Sequence, residues 1–111
     1  MSAKLAAWRP WKPLIVNTSP VVGAGIINKA DAIAIRAVAE GDATPDQQRR
    51  AIEAIIGRVA CTDDMSFRAE DHGGMYETAF AEGKRYVGLQ IRKLLNTPLH
   101  ILTGENTSPP A

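Results

Sequence analysis

Residues 28–59, NKADAIAIRAVAEGDATPDQQRRAIEAIIGRV, decide the fold, because they carry the start and stop signals of one helix and the start signal of a second. Asn28 is a good N-cap, Asp31 follows three residues later, and Ile27 stands in the staple position before the cap. The helix that starts there runs through Ala30 to Glu40 and ends at Gly41. Ala at five of its positions and Ile or Val at three make it apolar around most of its circumference, which suits a helix covered on more than one side. Thr44-Pro45-Asp46-Gln47 then places Thr as N-cap, Pro at the first helical position and Gln as the closing member of a capping box. Ala51, Ile52, Ile55, Ile56 and Val59 recur at three- and four-residue spacing, with Gln48, Arg49, Arg50, Glu53 and Arg58 on the wet side. Two helices separated by so short a link predict an antiparallel hairpin.

Towards the C-terminus the helical pattern stops at Cys61, and the acidic, turn-prone stretch to Gly74 reads as a long loop in which Met65 and Phe67 plug the core. A third helix is expected from Met75 to Asn96. At 100° per residue, Tyr76, Phe80, Gly83, Val87, Ile91 and Leu94 fall in one stripe, so Phe80, Gly83, Val87 and Ile91 are expected in the core, with another helix crossing at Gly83. Residues 61–82 hold six acids and one Arg, whereas residues 83–96 hold four bases and no acid. Lys84, Arg85, Arg92 and Lys93 are therefore a candidate phosphate-binding flank; near the helix C-terminus they also suit the helix dipole.

On the other side, residues 1–27 read as an extended arm. Trp8-Arg9-Pro10-Trp11-Lys12-Pro13 alternates aromatic, basic and proline residues, which disfavours helix, and room remains for one short strand among Leu14-Ile15-Val16 and Val21-Val22. The arm either packs on its own helices or docks on a neighbouring subunit or partner. Trp8 and Trp11, with Ile33 and Ile35 of the first helix, are the candidate partner-binding residues; base stacking is a third use of the two Trp. The expectation is thus an all-α fold: a three-helix domain over residues 28–96, in which the hairpin packs across the long third helix, with an extended arm (1–27) and a flexible tail (97–111).

Composition excludes several function classes. A chain of 111 residues is too short for a two-lobed enzyme, and a formal charge of +1 lacks the basic excess of a protein that coats nucleic acid. One Cys permits no intrachain disulfide, and Cys61 with two His falls short of the usual four-ligand zinc set. Apolar runs such as Val21 to Ile27 are too short for a bilayer span and no secretion signal is evident, so a soluble intracellular protein is expected. Asp63, Asp64, Glu70, Asp71 and His72 do not follow the spacing of a calcium loop. There is no phosphate loop, nucleophile elbow or His-Glu-x-x-His helix, and Cys61 near His72 is better explained as a structural thiol. No catalytic residue, metal or cofactor is assigned.

Phe80-Ala-Glu82-Gly83-Lys84-Arg85-Tyr86-Val87-Gly88-Leu89, within the stretch Thr78 to Leu95, resembles the Phe-x-Glu-Gly-(Arg/Lys)-Arg-x-Val-Gly-Leu helix of a family of small tailed-bacteriophage proteins whose named member comes from a Bordetella podovirus. The Gln47-to-Ile56 helix and the Asp64-Met-Ser-Phe-Arg68 loop are also similar to that family, so the resemblance spans roughly residues 41–96. It implies a phage-encoded protein made near packaging and head genes, present in the host cytoplasm during assembly or in the virion, and it supplies no catalytic residues. The expected function is a non-enzymatic, oligomeric assembly or virion component that contacts itself or other head and tail proteins. The alternatives are a DNA-binding packaging subunit, similar to a small terminase, and an inhibitor of a host protein.

Overall fold

The computed structural model describes residues 9–18 and 22–104. Trp8 and the tail beyond Gly104 lie outside the described residues. In chain order the elements are β1 (Ile15–Asn17), β2 (Ile26–Asn28), α1 (Lys29–Glu40), α2 (Pro45–Ala54), a π-helical turn (Ile55–Val59), a 3-10 turn (Glu70–His72), α3 (Gly74–Asn96) and α4 (Leu99–Leu102). The fold is mostly helical with a small sheet, rather than purely α.

Both boundary readings in the hairpin hold. Asn28 Oδ1 accepts the Asp31 N–H at 2.9 Å while Asp31 Oδ2 accepts the Asn28 N–H at 3.2 Å, so each of two otherwise orphaned donors is satisfied by the other residue's side-chain oxygen. Gly41 ends α1 at φ +80°, a left-handed conformation that glycine adopts without a Cβ clash, and its N–H reaches the carbonyls of Ala37 and Val38. Thr44 and Gln47 close the second box at 3.2 and 3.0 Å. The hairpin seam is built from small side chains: Ala34, Ala51 and Ala54 are buried, which lets the helix axes approach closely. Arg50 of α2 adds a bond from Nε to the buried Asp31 carboxylate at 2.7 Å, tying the cap of one helix to the flank of the other.

The second helix does not end as an α-helix. Its last turn widens, with the Ala60 N–H bonded to the Ile55 carbonyl at 2.9 Å, and Thr62 then closes it by giving both its N–H (3.1 Å) and its hydroxyl (2.7 Å) to the Ile56 carbonyl. Those bonds occupy an acceptor that a helix end would leave orphaned. Around this turn lies the core: Ile27, Ala54, Ile56, Ala60, Cys61 and the fully buried Thr62. Burying an isoleucine such as Ile27 contributes about 1.5–3 kcal/mol.

Four expectations are corrected. The short strand expected in the arm forms at Ile15–Asn17, but it pairs in parallel with β2, Ile15 opposite Ile26 and Asn17 opposite Asn28, so the fold is not purely helical. Met65 and Phe67 are exposed, because the loop that carries them lies along the outside of α3 instead of beneath it. The hairpin does not lie across α3. What α3 packs on is the π-helical turn, and the crossing point is Gly88, not Gly83. A Cβ on Gly88 would overlap Thr62 Oγ1 outright and meet the Ala60 Cβ at 3.0 Å, whereas a Cβ on Gly83 would have nothing within 4 Å. Finally, the first part of the expected tail is ordered into the helical turn α4 after Pro98.

Candidate functional site

α3 sets the chemistry of the surface, and its two sides are opposite in character. One side is held by three straps. From the arm, Arg9 Nη1 and Trp11 Nε1 both donate to Glu77 Oε2 at 2.9 Å, while Lys84 Nζ donates to the carbonyl of the buried Pro10 at 3.0 Å. The second strap is the π-turn region seated on Gly88. The third is the acidic loop, which runs antiparallel to the helix: Asp63 accepts two bonds from Arg92 at 2.9 and 3.0 Å, the Ser66 hydroxyl bonds the Glu82 carboxylate, and the Arg68 N–H bonds Thr78 Oγ1 at 2.7 Å. The residues beneath the straps, Glu77, Thr78, Ala81, Lys84, Arg85, Gly88 and Arg92, are polar or small and at least partly covered, while Glu82 at the edge is exposed.

The opposite side is apolar and bare. Tyr76 is 89% exposed, Phe80 48%, Val87 55% and Leu94 63%, and Gly83 lies open between them. The stripe read from periodicity is therefore real as a stripe but is not core: Phe80, Gly83 and Val87 are exposed and Ile91 is half-buried. An amphipathic pattern fixes that a helix has an apolar face; it does not fix what covers that face. Here the chain's own straps use the polar side.

The other candidates fall as follows. Of the basic flank, Lys84 is held by Pro10, Arg85 bonds Glu82 at 3.3 Å and Arg92 is locked bidentately to Asp63, leaving Lys93 exposed with no ion pair among the described residues. Such a flank is largely neutralised within the chain and offers little unpaired charge to phosphate. Asp63, Asp64, Glu70 and Asp71 are exposed, and the side chain of His72 is outside what the structure describes. Among the described residues no group of three or more His, Cys, Asp or Glu converges as a metal site. Cys61 is buried, and that burial pushes its thiol up from its ordinary value, with nearby Asp64 adding to the rise against the pull of Lys84. A thiol held in the protonated form is a poor nucleophile. Trp11 is half-exposed with its indole N–H spent on Glu77, which matches an arm packed on its own helices; Ile33 is also half-exposed and Ile35 half-buried.

An open groove of about 810 Å³ lies between α2 with the π turn and the last turns of α3 at Arg92, Leu95 and Asn96. Ile52, Ile56 and Leu95 form apolar patches in it, and its rim carries Arg50 paired with Asp31 and Arg49 paired with Asp46. Sequence reasoning missed Glu77, on which the arm converges, and Thr62, which seats the π turn on Gly88. Their partners lie 66–68 and 26 positions away (88 − 62 for Gly88), a separation at which no local pattern signals a contact. No described helix is long and apolar enough to cross a membrane. No family model, curated protein or solved structure matches the chain.

Proposed function

We propose that the protein is a non-enzymatic assembly component of a tailed bacteriophage, working through contacts with copies of itself or with other head or tail proteins. The observation that carries this reading is the outward-facing apolar stripe of α3. A helix that turns its polar side to its own chain and its apolar side to solvent gains stability when a protein surface covers that stripe. The resemblance of residues 78–95 to the bacteriophage helix supplies the biological setting, the host cytoplasm during particle assembly. The internal pairing of Arg85 and Arg92 weighs against the DNA-packaging reading, since each guanidinium would have to leave a carboxylate to meet a phosphate.

Mass spectrometry of purified particles together with the native mass of the isolated protein tests the proposal. Recovery in particles or assembly intermediates, or a native mass above that of one chain, supports it. A protein that stays monomeric at high concentration and is absent from both preparations is not an assembly component. A salt-sensitive gel shift abolished by Arg85→Ala with Arg92→Ala would move the function to DNA instead.

A further inference from the structure

We infer that the partner on the bare stripe of α3 is a second copy of this chain, with the two long helices packed antiparallel about a two-fold axis level with Arg85. The inference rests on the proposed association and goes further by naming the face, the partner and the register. Three observations carry it. First, Tyr76, Phe80, Gly83, Val87 and Leu94, spaced four, three, four and seven residues apart, keep the heptad period of a helix–helix seam and all are exposed. Second, the stripe is complementary to itself when reversed. With the axis at residue 85, Tyr76 faces Leu94 of the other copy, Phe80 faces the exposed Gln90 and Gly83 faces Val87, so the valine of each chain enters the open space above the glycine of the other. A parallel pairing would set Gly83 against Gly83 and leave the open space there unfilled. Third, charge is distributed to match: the acids of α3, Glu77 and Glu82, lie in its first nine residues, and Lys93, the cation of the helix left exposed with no ion pair among the described residues, lies near its other end. Antiparallel packing brings Lys93 of each copy level with the acidic half of the other helix, and it also opposes the helix dipoles. The two Arg85 side chains do not meet at the axis, since residue 85 lies about 160° round the helix from Val87 at 100° per residue, and Arg85 is bonded to Glu82 of its own chain.

The test uses the full chain in a Cys61→Ala background. Sedimentation and native mass spectrometry should give twice the chain mass of 12.0 kDa, and Val87→Asp or Leu94→Asp should weaken the dimer by roughly 30-fold or more, as loss of a central anchor does. Unchanged far-ultraviolet circular dichroism would show that each variant still folds. Mixing Gly83→Cys chains with Val87→Cys chains under mild oxidation should give the mixed disulfide, while neither variant alone pairs with itself. Self-paired disulfides would overturn the antiparallel register. A dimer that survives both Asp substitutions would place the interface elsewhere and overturn the inference while leaving the assembly reading intact. A monomeric parent overturns it too, and its presence or absence in purified particles then decides the assembly reading separately. Binding of the stripe to lipid vesicles or to a different assembly protein, without self-association, would reassign the face.

Discussion

Gly83 and Gly88 stand five residues apart on α3 and do opposite things. Gly88 is where the helix touches the body of the domain: Thr62 Oγ1 occupies the volume a Cβ would need. Gly88→Ala should therefore lower stability by about 1–3 kcal/mol through overpacking, read as a fall in the denaturant midpoint, and Thr62→Ala in the same chain should restore part of the loss. Gly83 meets nothing, so Gly83→Ala should leave a dilute monomer unharmed or raise its stability by up to about 1 kcal/mol, the helix-propensity gain. Equal effects at the two positions would mean that the crossing is misplaced. Glu77 is the second decisive residue. Its Oε2 collects both arm donors, while its Oε1 is buried with no partner among the described residues. Glu77→Ala removes the acceptor for Arg9 and Trp11 together, so in a Trp8→Phe background the Trp11 emission should shift to the red and become easier to quench. An unaltered spectrum would show that the buried Pro10, not the carboxylate, holds the arm.

At the level of elements, the local rules carry α1 and α2. Asn28→Ala and Thr44→Ala each delete a side chain that accepts an orphan N–H, and each should cost about 0.5–2 kcal/mol in a thermal or denaturant melt. A variant with unchanged stability would show that its cap is only decorative. These two starts, the stop at Gly41 and the extent of α3 were legible because every signal lies within three or four positions of its partner. The sheet was not legible: Ile15 and Ile26 are eleven positions apart with Ser19-Pro20 between them, and three-residue strands have too little alternation to reveal a pairing. The π-helical turn was hidden for a different reason, since Ile55, Ile56 and Val59 satisfy the α period and the wider winding shows only in the backbone bond from Ala60 to Ile55, which no side-chain spacing encodes. For the surface, the sequence held the stripe of α3 and the basic flank as residue sets but not their surroundings. Whether Val87 faces a core or solvent depends on where the arm and the acidic loop attach, which are tertiary choices made by Glu77, Arg92 and Glu82.

For the molecule as a whole, strapping the polar side of α3 to the body makes the acidic loop a pH-dependent part of the structure. Hydrogen bonds from Arg92 hold the Asp63 carboxyl below its ordinary value, and the Ser66 hydroxyl, with Arg85 behind it, does the same for Glu82. Both folded values are depressed, so in the acid range the unfolded chain binds protons that the folded chain does not. Stability from these bonds is complete above the unfolded carboxyl value near about 4 and is lost as the pH falls through the folded values. Both carboxylates are exposed, so solvent and salt screen them and the contribution is modest. Urea midpoints taken from about pH 7 down to about pH 3 should fall with acidification, and Asp63→Asn should flatten that slope while leaving the boxes at Asn28 and Thr44 untouched. Because the Asn variant cannot gain a proton, its flatter slope would assign the lost stability to the Asp63–Arg92 pair. Added salt should flatten the parent's slope in the same direction, by screening the same charges. A slope identical in parent and variant would mean that the loop lies along α3 without holding it, and the polar side of the helix would then be retained by the arm and Gly88 alone.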